Sequence, residues 1–183
     1  MIENIEIKKK LVDSWFDFLQ LEIIKVFQYL ENNHYSNSKK FIPYEWRKKN
    51  IKEGGGISYL LKNGKIFDKV GINKSTVSGV FKKKFRKKIL GAEKNGKYWA
   101  SGVSVVAHMK NPKMPAVHFN TRFLVTSKHW FGGGMDVTPS YIDKNESKII
   151  HKKLKKICQN NKKKYIKYKK WSDRYFYLPH RKE

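Results

Sequence analysis

Apolar residues change period along this chain, and each change marks an element. Between residues 11 and 31, Trp15, Leu19, Ile23, Val26 and Leu30 fall at steps of four, four, three and four. That spacing predicts an amphipathic helix with these five side chains turned to the core. Residues 32–56 are polar, hold Pro43 and the triplet Gly54, Gly55, Gly56, and read as loop. From 57 to 81 short apolar segments, interrupted by Asn63-Gly64 and Gly71, predict hairpin strands. The basic run at 82–88 and the following "EKNGK" read as an exposed connection. Alternation then dominates from 102 to 141, in "GVSVVAHM", "VHFNTRFLV" and "GGGMDVTPSY". Helical spacing returns over 143–160, with Asp143 or Asn145 as N-cap and a stripe of Ile150, Leu154, Ile157 and Cys158. An aromatic segment, "YIKYKKWSDRYFYLPHRKE", closes the chain. No internal repeat or linker divides it. The pattern predicts one α+β domain over residues 1–183, an antiparallel sheet with helices around it.

The strands between 102 and 125 sort their side chains by parity. Ser104, Val106 and His108 share one face, with Val103, Val105, Ala107 and Met109 on the other. His118, Asn120 and Arg122 share a face likewise, opposite Phe119, Thr121, Phe123 and Val125. The connection "MKNPKMPAV" carries two prolines and does not continue a strand. Pairing symmetric about Lys113 would set His108 opposite His118 and Ser104 opposite Arg122. One face would then be apolar, and the other would collect serine, histidine, asparagine and arginine. Two readings stand: a solvated sheet face or a bed for an anionic ligand. The absence of lysine from these positions, in a lysine-rich chain, favours the bed.

"WFGGGMDVTPSY", residues 130–141, forms a second constellation. Three glycines let the backbone approach a ligand or redirect the strand, and a glycine turn with an aspartate cap is the plainer alternative. Asp136 is the lone carboxylate between Glu93 and Asp143. Beside a cationic face it could accept N–H donors of a ligand.

Composition narrows the picture. The 183 residues carry a formal charge of +26, from 41 basic and 15 acidic side chains. Such an excess suits nucleic acid. Yet only Arg47, Arg86, Arg122, Arg174 and Arg181 are arginines, and the lysines spread along the whole chain. Base readers lean on arginine's planar fork. The charge therefore reads as a solvated surface, and nucleic acid is not expected as partner. The single cysteine, Cys158, excludes an internal disulfide and any cysteine-based zinc or iron–sulfur site. The N-terminus has no apolar signal-peptide region, and Asp13, Asp17, Glu22 and Lys25 interrupt the longest apolar stretch, so no membrane span is expected. These features predict a soluble protein of a reducing cytoplasm.

"GVSVVAHMKNPKMPAVHFNTRF", "WFGGGMDVTPSY" and "YKKWSDRYFYLPHRKE" together resemble the oxygen-dependent coproporphyrinogen III oxidases of haem (porphyrin) biosynthesis. "EGGGISYLLKNGKIFDKVGINKSTVSGV" at 53–80 adds to the likeness. The oxygen-independent enzyme needs a cysteine triplet, which is missing here. The resemblance implies a large flat antiparallel sheet flanked by helices on both sides, in a homodimer. It implies oxidative decarboxylation of two propionates of coproporphyrinogen III to vinyl groups, with dioxygen as co-substrate and no haem, flavin or iron–sulfur cluster. Ser104, Asn120, Thr121 and Arg122 would contact substrate, His118 would donate a proton, and Asp136 would hold the pyrrole N–H groups. His108, His118, His151 and His180 correspond to positions described as ligands of a divalent metal. The alternative for them is hydrogen bonding to substrate or to each other.

The sequence departs from the family pattern at Asp68, Ser172 and Arg174, and at His129, where a tryptophan is usual. The resemblance also implies a further glycine- and arginine-containing stretch beyond Glu183, so the chain reads as C-terminally truncated. An active enzyme, and a degenerate or split remnant that binds tetrapyrrole without turnover, both fit these residues. A lysine-rich nucleic-acid binder is favoured by charge alone.

Overall fold

The computed structural model describes residues 4–33 and 37–180. Two compact units emerge, Met1–Thr138 and Pro139–Glu183. The first holds helix α1 (Ile5–Asn32), strands β1 (Ile42–Arg47), β2 (Gly54–Lys62) and β3 (Phe67–Val80), the short helix α2 (Lys83–Arg86), and strands β4 (Lys97–Met109), β5 (Ala116–Val125) and β6 (His129–Thr138). The strands make one antiparallel sheet in chain order, β1 to β6. The second unit holds helices α3 (Lys144–Asn160) and α4 (Tyr165–Phe176). The α+β class read from the sequence is the class observed.

Helix α1 starts where Asn4 turns its side-chain oxygen onto the backbone N–H groups of Glu6 and Ile7, at 3.0 and 3.3 Å. It then buries Val12 and Phe16, with Leu19, Ile23, Ile24 and Phe27 packed beside them. The sheet meets it with Leu61, Val70, Ile72, Val103, Val105, Ala107 and Phe123, all nearly inaccessible to water. This helical face of the sheet is the core of the unit. The expected stripe on α1 is corrected at three positions: Trp15, Val26 and Leu30 are 53%, 58% and 43% exposed. The helix is apolar on more than one side, so spacing alone does not choose the side that docks.

Three polar side chains on α1 make that choice. Gln20 donates to the backbone carbonyls of Ile57 and Ile72, at 2.8 and 2.9 Å. Glu31, fully buried, accepts from the backbone N–H groups of Lys65, Ile66 and Phe67 and so closes the β2–β3 hairpin. Asp13 accepts from Thr76 and Ser101 and pairs with Lys74 at 2.9 Å, which also reaches Asp17 at 2.9 Å. Buried polar groups must be satisfied, so each pin fixes both the rotation and the height of the helix.

Residues 32–56, expected as loop, contain all of β1 and the start of β2. β1 is an edge strand with every residue exposed, so it shows no alternation to read. Gly54, Gly55 and Gly56 lie inside β2, where added Cβ atoms would come within 2.1–2.3 Å of carbonyl oxygens on neighbouring strands. The expected helix at 143–160 forms, and Asp143 caps it by accepting from the N–H groups of Asn145 and Glu146 at 2.7 and 3.1 Å. Ile157 leaves the expected stripe and is 57% exposed.

Two consequences can be measured. Glu31→Ala removes the acceptor for three backbone N–H groups, two of them only partly buried, and should cost about 2–4 kcal/mol in urea unfolding. Burial pushes the Asp13 carboxyl up, but hydrogen bonds from Thr76, Lys74 and Ser101 outweigh it and leave the group below its usual 3.8. Burial pushes Lys74 down, and its bonds to Asp17 and Asp13 outweigh that, leaving it above 10.5. Asp13 thus adds stability that is complete above about pH 3.8 and is lost as pH falls toward its folded value. The Lys74 contribution is complete below about pH 10.5 and is lost as pH rises through its folded value. Asp13→Asn should lower the melting temperature near neutrality and converge on wild type in acid. A constant gap from neutral to acid pH would disprove the coupling.

Candidate active site

Because α1 takes the odd-numbered side chains of β4 and β5, the even-numbered ones stand on the opposite face. Register aligns them in rows across the strands. Val106, His118 and Asp136 form one row. Ser58, Asn73, Ser104, Asn120 and Gly134 form the next. Gly56, Ser75, Gly102, Arg122 and Gly132 form a third.

The expected pairing about Lys113 is corrected. Val106, not His108, lies opposite His118, and Ser104 lies opposite Asn120. The cause is the turn at 111–114, in which Met114 N–H donates to the Asn111 carbonyl at 3.0 Å and Lys113 N–H to the Asn111 side chain at 3.0 Å. With proline second in this turn, the centre of the hairpin moves to Pro112. His108 and His118 become diagonal neighbours, with ring centroids 6.0 Å apart.

Charge gathers at two places on this face. His118 Nδ1 lies 3.1 Å from Asp136 Oδ2, and the Thr138 hydroxyl donates to the same oxygen at 2.7 Å. Both bonds fall on Oδ2, which leaves Oδ1 to accept from a ligand. Two rows away, Arg122 donates to Asn120 Oδ1 at 2.9 Å, which steadies the guanidinium. Between them, a Cβ added to Gly134 would meet nothing within 4 Å, and at Gly132 only the Trp130 ring at 3.8 Å. These two glycines therefore leave room above the sheet. Gly133, between them, is required by packing, since its Cβ would lie 2.3 Å from the Asn120 carbonyl oxygen. The triplet lies within β6 and is not a turn.

Ser104, His108, His118, Asn120, Arg122 and Asp136 thus share one face of the first unit. Thr121 projects to the helical face, so only its backbone serves this one. His151 and His180 belong to the second unit, where His151 Nδ1 lies 2.7 Å from the Tyr165 hydroxyl. The sequence reading passed over a third cluster. Asn73 Oδ1 on β3 accepts from Ser58 at 2.7 Å and from the Trp46 indole N–H at 3.0 Å. Its signal was the alternation of Gly71, Asn73 and Ser75 with buried Ile72 and Lys74.

The histidines expected as metal ligands divide between the units, His108 and His118 in the first and His151 and His180 in the second. His118 and His151 each have Nδ1 engaged by a protein partner, and among the described residues no group of three or more histidine, cysteine or carboxylate ligands is placed to hold an ion.

A model of the coproporphyrinogen III oxidase family matches residues 11–183. The chain belongs to that family. Curated relatives agree: an oxygen-dependent coproporphyrinogen-III oxidase of Rickettsia rickettsii (strain Sheila Smith) is 46% identical over 186 residues, covering 98% of this chain and 65% of the relative. Its namesake in Rickettsia akari (strain Hartford) is 45% identical, covering 100% of this chain and 64% of the relative. In Rickettsia bellii (strain RML369-C) identity is 44%, with coverage of 96% and 63%. The chain thus spans just under two thirds of the length of these family members. Among the described residues, no helix is long and apolar enough to cross a membrane.

The two kinds of glycine can be told apart. Gly134→Ala should change unfolding free energy by no more than about 1 kcal/mol, since its methyl enters open space. Gly102→Ala places a Cβ 2.5 Å from the Thr121 carbonyl oxygen and should destabilise by several times that amount. Equal losses in the two variants, compared by urea titration, would contradict the assignment of open room above Gly134.

Proposed function

We propose that this protein carries out the oxygen-dependent oxidative decarboxylation of coproporphyrinogen III to protoporphyrinogen IX. The observation that carries the reading is one face of β4–β6, on which His118 and Asp136 stand at one end and Arg122 and Asn120 at the other, across glycines that leave space. Family membership supplies the substrate class.

The substrate is a puckered ring of four pyrroles whose N–H groups point inward and whose four propionates point outward. Asp136 accepts from the pyrrole N–H groups through Oδ1, an interaction between an ion and several donors at once. Arg122 meets a propionate with its fork, a pairing lysine cannot reproduce. Ser104 and Asn120 offer further polar contacts, as does the backbone of Thr121. Each reacting propionate loses carbon dioxide, one proton and two electrons and becomes a vinyl group. Dioxygen takes up the two electrons with two protons as hydrogen peroxide. His118, with Nδ1 3.1 Å from Asp136 Oδ2, is the group that moves a proton in this reading. The protein's part is to position the ring, exclude water and shuttle protons, with the electrons supplied by the electron-rich pyrrole. The same reading has a homodimer working in the cytoplasm.

The test is aerobic incubation of the purified chain with coproporphyrinogen III, following divinyl product and oxygen uptake. Expected is product formation that Asp136→Ala abolishes with little loss of stability, together with at least a tenfold loss of coproporphyrin III binding. Arg122→Lys should lose binding to a similar degree. A chain that neither binds coproporphyrin III nor consumes oxygen with its reduced form would refute the proposal, and binding without oxygen uptake would leave a tetrapyrrole-binding protein.

A further inference from the structure

Beyond Arg122 the same face ends in a cavity of about 580 Å³. Tyr98, Ala100, Leu124 and Trp130 line it from β4, β5 and β6, all by even-numbered side chains that share the face of His118. Phe81, Ile89 and Leu90 complete the wall from the segment between β3 and β4. That segment is held in place. Arg86 Nε donates to the Phe81 carbonyl at 2.9 Å, Thr126 Oγ1 donates to the Leu90 carbonyl at 2.8 Å, and the Phe81 and Tyr98 rings stack at 4.3 Å. Gly91 adopts φ +73° where an added Cβ would strike Thr126 Oγ1 at 2.4 Å, so the segment's path is built into the sequence.

Its chemistry is one-sided. The walls are aromatic and aliphatic, the two charged groups of the lining are Arg122 and Lys88, and no carboxylate is among the lining residues. An apolar recess with two cations and no anion suits an organic anion whose body is apolar. Arg122 and His118 are four residues apart on β5, hence about 13 Å along the strand. A ligand anchored in this recess therefore extends across the sheet toward Asp136, which meets its ring N–H groups, and toward His118 beside it.

We infer that this recess seats a carboxylate-bearing pyrrole edge that is not transformed, and that Lys88 is a specificity residue pairing with that carboxylate. The inference rests on the reading of the site given above. It supplies what the His118–Asp136 end lacks, a means of choosing which of four similar propionates faces the proton-moving groups. Two propionates must survive the reaction, and a recess that binds one as carboxylate holds it away from that end.

The experiment is a binding titration of the whole chain by tryptophan-fluorescence quenching. Coproporphyrin III is one probe, and its uncharged tetraamide is the other. Three variants are compared: Lys88→Glu in the lining of the recess, Lys87→Glu as a control that is exposed like Lys88 but lies outside the lining, and Leu124→Trp, which fills the recess without changing charge. Expected for Lys88→Glu is a tenfold to hundredfold weaker affinity for the tetraacid, with the tetraamide unchanged. Lys87→Glu should shift the tetraacid less than about threefold, as a rim charge acting at long range does. Leu124→Trp should weaken both probes. If wild type binds the tetraacid and Lys88→Glu binds it as well, the inference is overturned while the functional reading stands. Equal losses for Lys88→Glu and Lys87→Glu would reduce the effect to overall charge and also overturn it. If wild type binds neither probe, the reading of the site fails and this inference with it.

Discussion

The docking of α1 on one side of the sheet is the constraint from which the rest follows. A strand has a side-chain period of two, so burying one residue commits every second residue along it. Once Phe16 meets Val103, Ile72 and Phe123 in the core, the parity of β3, β4 and β5 is settled. Burial of several large side chains, worth roughly 1.5–3 kcal/mol each, then holds His118, Asn120 and Arg122 on the other face. The site's residues need no local structure of their own. They are what remains when the core has taken its half.

The helix is held to that task by polar pins as much as by apolar ones. Ile7, Leu11, Trp15 and Phe18 leave it apolar on a side away from the core as well, with Leu11 68% exposed. Hydrophobic burial alone would therefore not distinguish two rotations of α1 sharply. Gln20, Glu31 and Asp13 do, because rotating the helix would strand a buried carboxylate, a buried lysine and several backbone groups without partners. Specificity of docking thus comes from groups whose misplacement is costly, and the geometry of the far face inherits that specificity.

This division explains what the sequence made legible. Parity was legible: Ser104, His108, His118, Asn120 and Arg122 share a face because alternation is local. Register was not, because it depends on how Asn111 closes its turn, and a shift of the hairpin centre from Lys113 to Pro112 exchanged His108 for Val106 opposite His118. β1 was invisible because an exposed edge strand has no buried side to pattern. Trp15 looked like core because spacing does not separate two apolar sides of one helix. Asn73 with Ser58 and Trp46 was missed because its polar positions sit between glycines, in segments whose pairing partners lie 15 or more residues away. Asp136 stood out for a compositional reason, as the one acid in a long acid-free stretch, and its partner Thr138 follows at the strand's own period.

Charge works at two ranges in such a molecule. A net charge of +26 draws any polyanion toward the surface, and salt screens that attraction over about 8 Å at physiological strength. An anionic ligand gains from this field wherever it lands, so the field gives encounter and cannot give pose. Pose needs groups whose positions are fixed: a guanidinium held by Asn120, a carboxylate held by His118 and Thr138, and glycines that leave room above the sheet. The even-numbered positions of β4 and β5 carry no lysine, and the reason is now physical. A flexible ammonium there would bind any carboxylate in many orientations, where arginine offers one planar fork. Lysine is tolerated at the rim of the recess beyond Arg122, where apolar walls restrict what reaches it.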